Sequence, residues 1–301
     1  MIFNFIHFCA EGLKRKLNYF LLRFIKQSYK KTLYPYSRYD DVLSDNWYLH
    51  NEYEAHINNI IAKYGAKKYH DFFIDIGANI GFTTISNYQH FNQIFCFEPN
   101  EIVYNILKSN TRIHCNSDRI NLFNVGLGAT KGTFELKIPR HNFGGAFIEE
   151  NNRYDIDQLL KKDGFNSYNE KNFLTEKVTI EDEKFFKERV LSSLKKSSKG
   201  VIKIDVEGYE MQILELILKN IDCNSVAIIF ECLNDIPTKD IIDIINKTDF
   251  TTKEVYLMNI PDSPIKKILT NQYKKEFKLF DPLNKTVPGG SDIAINLSKN
   301  V

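Results

Sequence analysis

Phe72-Phe73-Ile74-Asp75-Ile76-Gly77-Ala78-Asn79-Ile80-Gly81-Phe82-Thr83 passes from an apolar run through an acid into a Gly-x-x-x-Gly turn. The pattern predicts a buried strand, a glycine turn and a helix start. Glycine at the turn allows a ligand to approach backbone N–H groups closely, and the helix N-terminus offers partial positive charge to a carboxylate or phosphate. A strand-loop-helix nucleotide site follows. About twenty residues on, Ile94-Phe95-Cys96-Phe97-Glu98-Pro99-Asn100 is a second apolar run closed by an acid, where doubly wound sheets carry a ribose-binding carboxylate. Glu98 is therefore expected to accept from ribose hydroxyls, with Pro99 beside it. The turn is not G-x-G-x-x-G, whose second glycine admits a pyrophosphate. S-adenosyl-L-methionine (SAM), an adenosine joined to an amino acid without phosphate, suits the loop better and is the expected cofactor.

The bulk properties bound the answer. A chain of 301 residues with 43% hydrophobic content can bury one large core plus an appendage. Its formal net charge of +2 balances 40 basic against 38 acidic residues, which gives no global attraction to nucleic acid or to an anionic membrane. Cys9, Cys96, Cys115, Cys223 and Cys232 are odd in number and lack C-x-x-C spacing. They read as free thiols in a reducing cytoplasm rather than as disulfides or zinc ligands. The abundance of Lys, Asn, Ile and Phe resembles the usage of an AT-rich bacterial genome.

Apolar residues at 1–10 give way to Glu11, Lys14, Arg15 and Lys16, well short of the roughly 20 residues that span a bilayer. The charges follow the apolar segment, the reverse of a signal peptide. Leu13, Leu17, Phe20, Leu21, Phe24 and Ile25 then recur at helical spacing beside basic residues, predicting a basic amphipathic helix that ends at Tyr34-Pro35-Tyr36. That helix is expected to dock on its own domain or a partner subunit, as in a homo-oligomer, or to lie on the inner membrane face. A second helix is predicted over Trp47 to Tyr64, closed by Gly65. From Asp71, strands and helices alternate as in a parallel sheet covered on both faces, with strands at Phe72–Ile76, Ile94–Phe97, Ile120–Val125, Val201–Val206 and Val226–Glu231. Two late strands, Thr252–Met258 and Asp292–Leu297, are expected to pair as an antiparallel flap. The third strand ends at Asn124-Val125-Gly126-Leu127-Gly128, so Asn124 and Val125 should edge the adenine or form a tight turn. Between Gly128 and Val201 the alternation fails. The glycine loop Arg140-His141-Asn142-Phe143-Gly144-Gly145-Ala146 and the polar segment after it suggest a lid or substrate-binding insertion, or a disordered surface insertion.

Val201-Ile202-Lys203-Ile204-Asp205-Val206-Glu207-Gly208-Tyr209-Glu210 sets a lysine and three carboxylates about a strand end. Lys203, Asp205 and Glu207 would share a face if extension continued. Burying them is costly unless they are paired or used, so Lys203 pairs with Asp205 or Glu207, or Asp205 faces a reacting group.

Taken together and in order, Phe73 to Gly81, Phe97-Glu98-Pro99-Asn100, Asn124 to Gly128 and Ile202 to Glu210 resemble the FkbM family of SAM-dependent methyltransferases, and the strand ending in Phe230-Glu231 fits too. The resemblance covers about Asp71 to Leu297, with the region before Tyr69 and the middle insertion outside it. It implies a seven-stranded, Rossmann-like class I methyltransferase sheet, α/β with helices on both faces. It also implies O-methyl transfer to a hydroxyl of a sugar, glycan or natural-product acceptor. Residues 1–70 would be a helical N-terminal extension and 71–301 the methyltransferase domain, with 129–200 the insertion. Tyr209 stands where a small residue is expected, and Gly126 where alanine is more usual.

Methyl transfer to a hydroxyl is an in-line displacement that needs positioning, exclusion of water and a base for the proton. Asp205, which would also contact the cofactor beside its sulfonium, is the first candidate base, with Glu207 and His141 behind it. Gly77, Ala78, Asn79 and Gly81 would form the loop around the methionine portion, with Asp75 beneath it. Asp205 and Glu231 could hold Mg²⁺, but two carboxylates are a thin ligand set, and no metal site is expected. A nicotinamide-dependent oxidoreductase shares the strand-loop-helix but would want the missing glycine. A non-catalytic SAM-binding scaffold would keep the pocket alone.

Overall fold

Strands that are apolar at every position must be covered on both faces, and β1 (Phe72–Ile76) is buried at all of its residues. The computed structural model describes residues 54–115, 118–150, 152–154, 157, 159–160, 168–232, 235–259, 276–280 and 286–299. After β1 come β2 (Gln93–Phe97) and β3 (Ile120–Phe123). A middle set follows: β4 (Gly126–Leu127), β5 (Gly132–Pro139), β6 (Phe147–Ile148) and β7 (Phe173–Glu181). The chain then forms β8 (Lys199–Ile204), β9 (Ser225–Cys232), β10 (Ile236–Pro237), β11 (Phe250–Asn259), β12 (Glu276–Leu279), β13 (Thr286–Val287) and β14 (Ser291–Lys299). The described helices are α1 (Ala55–Lys67), α2 (Phe82–Asn87), α3 (Glu101–His114), α4 (Glu183–Arg189), α5 (Glu210–Asn220) and α6 (Thr238–Asn246).

The main sheet has eight strands in the order β12-β11-β14-β9-β8-β1-β2-β3. From β9 to β3 all pairings are parallel, while β14 runs antiparallel to both β9 and β11. The expected α/β architecture is thus present. The sheet exceeds the expected seven strands because β12 pairs antiparallel with the end of β11. The two late strands do pair with one another, Val255 opposite Ile295, but they extend the main sheet instead of standing apart as a flap.

Alternation sorts the side chains into two layers. Phe72, Ile74, Ile76, Phe95, Ile202 and Ile228 belong to one core, with Phe186 of α4, Ile213 and Ile217 of α5 and Ile241 of α6. Phe73, Ile94, Val201, Ala227 and Ile229 form the other core, with Ile57, Ile60, Ile61 and Tyr64 of α1 and Leu107 of α3. Asn100 starts α3 by accepting from the N–H groups of Ile102 and Val103 at 3.1 and 3.3 Å.

Three expectations change. The helix before β1 does not stop at Gly65 but runs to Lys67. Gly65 is a packing residue: an added Cβ would come within 2.8 Å of His90 Cβ and 2.9 Å of the Phe91 ring. Part of residues 1–70 is also core, since α1 covers a sheet face. The middle segment, finally, has regular structure of its own, a four-stranded sheet in the order β4-β7-β5-β6 followed by α4. The basic amphipathic segment around residues 13–31 lies outside the described residues. None of the described helices is long and apolar enough to cross a membrane.

Phe73 is fully buried and stacks on Phe91 with ring centroids 5.1 Å apart. Phe73→Ala is expected to cost about 3–5 kcal/mol in urea denaturation; a loss below about 1 kcal/mol would contradict this packing.

Candidate active site

The strands of the parallel run end along one edge, and the turn after β1 crosses the chain leaving β8 there. Gly77 has φ 76°, and a Cβ added to it would lie 1.7 Å from the Asp205 carbonyl oxygen. Only glycine fits such a crossing. The Asp205 N–H donates to the Ile76 carbonyl at 3.0 Å, and the N–H groups of Gly77 and Ala78 donate to the Phe97 carbonyl at 3.0 and 2.9 Å. The turn is therefore pinned between β8 and β2, and those two N–H groups are spent within the protein. Asn79, at φ 52°, donates its N–H to Glu98 Oε2 at 3.0 Å. The Asn100 N–H donates to Glu98 Oε1 at 2.9 Å. Held by two amides, the Glu98 carboxylate keeps lone pairs for a further donor. Burial outweighs both hydrogen bonds and pushes Glu98 up to about 7.

A crevice of about 310 Å³ opens over this edge. Gly77, Asn79, Glu98, Pro99, Asp205 and Glu207, all named from the sequence as candidates for cofactor binding or chemistry, are among its lining residues. Asp75, Ala78, Gly81, Asn124, Val125 and His141 are not among its lining residues. Asn124 works from beneath, donating its amide to the carbonyls of Glu98 and Pro99 at 2.9 and 3.1 Å. Asp75 is buried and accepts from Thr84 Oγ1 at 2.7 Å. An added Cβ on Gly81 would meet Leu107 at 2.7 Å, so that glycine serves helix packing. Val125 packs against the core, and His141 is half-buried on the glycine loop.

The other wall comes from the middle segment through Phe134, Phe143, Phe147, Ile148 and Ile180, which the sequence did not single out one by one. Only the glycine loop containing Phe143 had flagged this region. Gly126 faces Ile180, whose Cδ1 lies 2.5 Å from where a Cβ would stand, so alanine there would need the Ile180 side chain to shift. Tyr209 lines the crevice too, and its hydroxyl donates to the Glu150 carbonyl.

Beneath the crevice Lys203 Nζ lies 2.9 Å from Asp205 Oδ2 and 3.9 Å from Asp75 Oδ1, with its side chain almost wholly buried. Of the two partners weighed for Lys203, Asp205 and Glu207, it is Asp205 that the lysine pairs with. Burial alone would lower the lysine, but the two carboxylates outweigh it and hold its proton firmly. Extension stops at Ile204, so Glu207 does not continue the strand face. Glu207 and Gly208 take φ 53° and 107° instead, and a Cβ on Gly208 would lie 2.0 Å from Asn152 Oδ1. Asn152, from the middle segment, donates to the carbonyls of Ile148 and Glu207, both at 2.8 Å. Buried Glu210 closes the turn by accepting from the Gly208 N–H at 3.0 Å.

This turn brings carboxylate oxygens of Asp205, Glu207 and Glu231 within 4.8 Å of one another, an oxygen set of the kind hard cations take. The crevice itself is lined by Glu98, Asp205 and Glu207, with no lysine or arginine among its lining residues. A pyrophosphate would face like charge there, whereas a nucleoside bearing a sulfonium and an ammonium meets opposite charge. The residues fit SAM and disfavour a nicotinamide dinucleotide.

Two measurements check this geometry. Gly77→Ala drives a Cβ into backbone at positive φ and is expected to cost more than about 2 kcal/mol on denaturation; wild-type stability would contradict the crossing. Glu98 and Glu210, each pushed from 4.5 to about 7 chiefly by burial, hold protons that the unfolded chain releases. The ligand-free protein should therefore lose stability as pH rises from about 4.5 to about 7, and Glu98→Gln should flatten part of that fall. An unchanged slope in the variant would show that Glu98 titrates normally.

The model of the methyltransferase FkbM domain matches residues 75–251. No curated protein sequence matches the chain. Among solved structures the chain is similar to precorrin-6y C5,15-methyltransferase from Geobacter metallireducens GS-15, at 8% identity and TM-score 0.37, over 82% of this chain and 93% of that one. It is also similar to M. jannaschii TYW2 in complex with AdoMet, at 8% identity and TM-score 0.40, over 82% and 78% of the two chains. M. capricolum TrmK in complex with S-adenosyl-homocysteine gives 10% identity and TM-score 0.39, over 81% and 67%. The family match spans more than half of the chain and takes in the pinned turn, Glu98 and the Asp205–Glu207 strand end. The chain therefore belongs to the FkbM methyltransferase family, and its cofactor is S-adenosyl-L-methionine.

Proposed function

We propose that the protein is an O-methyltransferase acting on a hydroxyl of a sugar, glycan or natural-product acceptor. The observation that carries this reading is the position of Asp205, which lines both the cofactor crevice and a second, polar cavity. When bound, SAM supplies an electrophilic methyl group to the acceptor oxygen.

The chain's own residues do the rest. Glu98 accepts from the ribose hydroxyls, and the turn at Gly77, Ala78 and Asn79 shapes the crevice around the methionine portion. Asp205 accepts the hydrogen bond of the acceptor hydroxyl and takes its proton. The Lys203 ammonium, 2.9 Å away, holds the Asp205 carboxylate in one orientation. Glu207 stands next to it on the crevice wall. His141, which does not line the crevice, is the weakest of the three candidate bases. Phe143, Phe147 and Ile148 exclude water from the reacting atoms, and alignment plus exclusion supplies most of the acceleration.

The same reading sets the protein in the cytoplasm, in keeping with Cys96, Cys115, Cys223 and Cys232 being free and buried. Docking of the predicted N-terminal basic helix on its own domain, on a second subunit or on the inner membrane face belongs to this proposal, as does the absence of a nucleic-acid partner.

Labelled SAM incubated with the protein and cell-extract fractions should yield a labelled acceptor. Asp205→Asn should lower kcat by roughly 10²–10⁴-fold, a much larger loss than the weakening of SAM binding that calorimetry reads in the same variant. Transfer at the wild-type rate by the variant would remove Asp205 from the chemistry. An absence of labelled product in every fraction would favour a scaffold.

A further inference from the structure

Asp205 also lines a second cavity of about 100 Å³, part of whose wall comes from segments beyond the family match. Lys203, Asp205 and Glu231 come from the ends of β8 and β9. Glu54 and His56 come from the start of α1, and Asp292 from the start of β14, where it sits opposite Glu231 in the strand register. His56 Nε2 lies 2.8 Å from Asp292 Oδ2, and its ring stacks on Phe277 with centroids 6.1 Å apart. Pairing and stacking fix the imidazole.

Glu54, Asn79 and Glu207 are the non-glycine residues at positive φ among the described residues, and all three line one cavity or the other. Such backbone strain gathers at functional sites. Glu54 Oε2 is sealed from solvent and has no hydrogen-bond partner. Burial first, and the carboxylates of Asp205, Asp292 and Glu231 against the opposing Lys203 ammonium, push Glu54 up to about 8.

Among the described lining residues, four carboxyl groups face one ammonium, and that ammonium already lies against Asp205. Hydroxyl and ammonium donors find acceptors in such a cavity; an acidic group meets like charge. The volume suits a reacting hydroxyl and its neighbouring substituents rather than a whole acceptor. A metal ion at Asp205 would have to sit beside the Lys203 ammonium.

We propose that this cavity is the acceptor subsite, and that Glu231, Asp292 and His56 select a hydroxyl-rich acceptor that is neutral or aminated on the entering edge and reject an acidic one. The proposal rests on the methyltransferase reading of the adjoining crevice.

The full chain, with S-adenosylhomocysteine and a chelator present, would be titrated with glucosamine, glucose and glucuronate by saturation-transfer NMR. Glucosamine and glucose should bind saturably, and glucuronate at least about tenfold more weakly than glucosamine. Asp292→Asn and Glu231→Gln should each narrow that gap to about threefold or less while S-adenosylhomocysteine affinity, read by calorimetry, stays unchanged. Glucuronate binding as tightly as glucosamine would overturn the proposal. So would a lack of saturable binding by glucosamine and glucose, an unchanged gap in both variants, or sugar binding that appears only with added Mg²⁺. Failure of the wild-type chain to bind S-adenosylhomocysteine would instead strike the cofactor reading, and this proposal with it.

Discussion

Contact between Gly77 and the Asp205 carbonyl, close enough that a Cβ would fall 1.7 Å from that oxygen, ties the cofactor turn to the strand end that carries the candidate base. The turn cannot shift without moving Asp205, whose N–H is bonded to Ile76 one residue earlier. Bonds from Gly77 and Ala78 to the Phe97 carbonyl bring the end of β2, and so Glu98, into the same unit. Cofactor acid, cofactor turn and base are therefore fixed relative to one another by backbone. That is the rigidity in-line transfer needs, since small misplacements of reacting atoms carry large losses of rate.

The electrostatics of this edge follow from crowding acids where strands end. Asp75, Glu98 and Glu210 are buried, and each is held by specific donors: Thr84, the amides of Asn79 and Asn100, and the amide of Gly208. Lys203 lies between Asp75 and Asp205 and is the buried cation of the cluster. Buried charge of this kind seldom adds stability, because desolvation offsets the attraction. Its value here is a crevice lined by carboxylates that suits a cationic nucleoside and opposes a phosphorylated one.

Much of this was legible locally. β1 reads as buried because every residue but Asp75 is apolar, and Glu98 declares itself by its distance from the turn. What escaped was long-range or conformational. The wall made by Phe134, Phe147 and Ile180 depends on β5 pairing with β6 and β7, a register no local pattern announces. Glu54 and His56 reach the site because α1 packs on the sheet, although their segment reads as an appendage. Strand periodicity misplaces Glu207, since positive φ there turns the chain away from extension. Gly65 and Gly81 resemble punctuation or ligand contacts in sequence but serve close packing in the fold. The turn's amides, expected to meet the ligand, are spent on β2 and Glu98 because the strands already lie within reach of them.

The most direct measurement is a crystal structure of the protein with S-adenosylhomocysteine. The ribose hydroxyls should lie within hydrogen-bonding distance of the Glu98 carboxylate, with the nucleoside resting against Gly77 and its sulfur directed toward Asp205. A nucleoside bound elsewhere, or side chains closing the space between Glu98 and Asp205, would contradict the account.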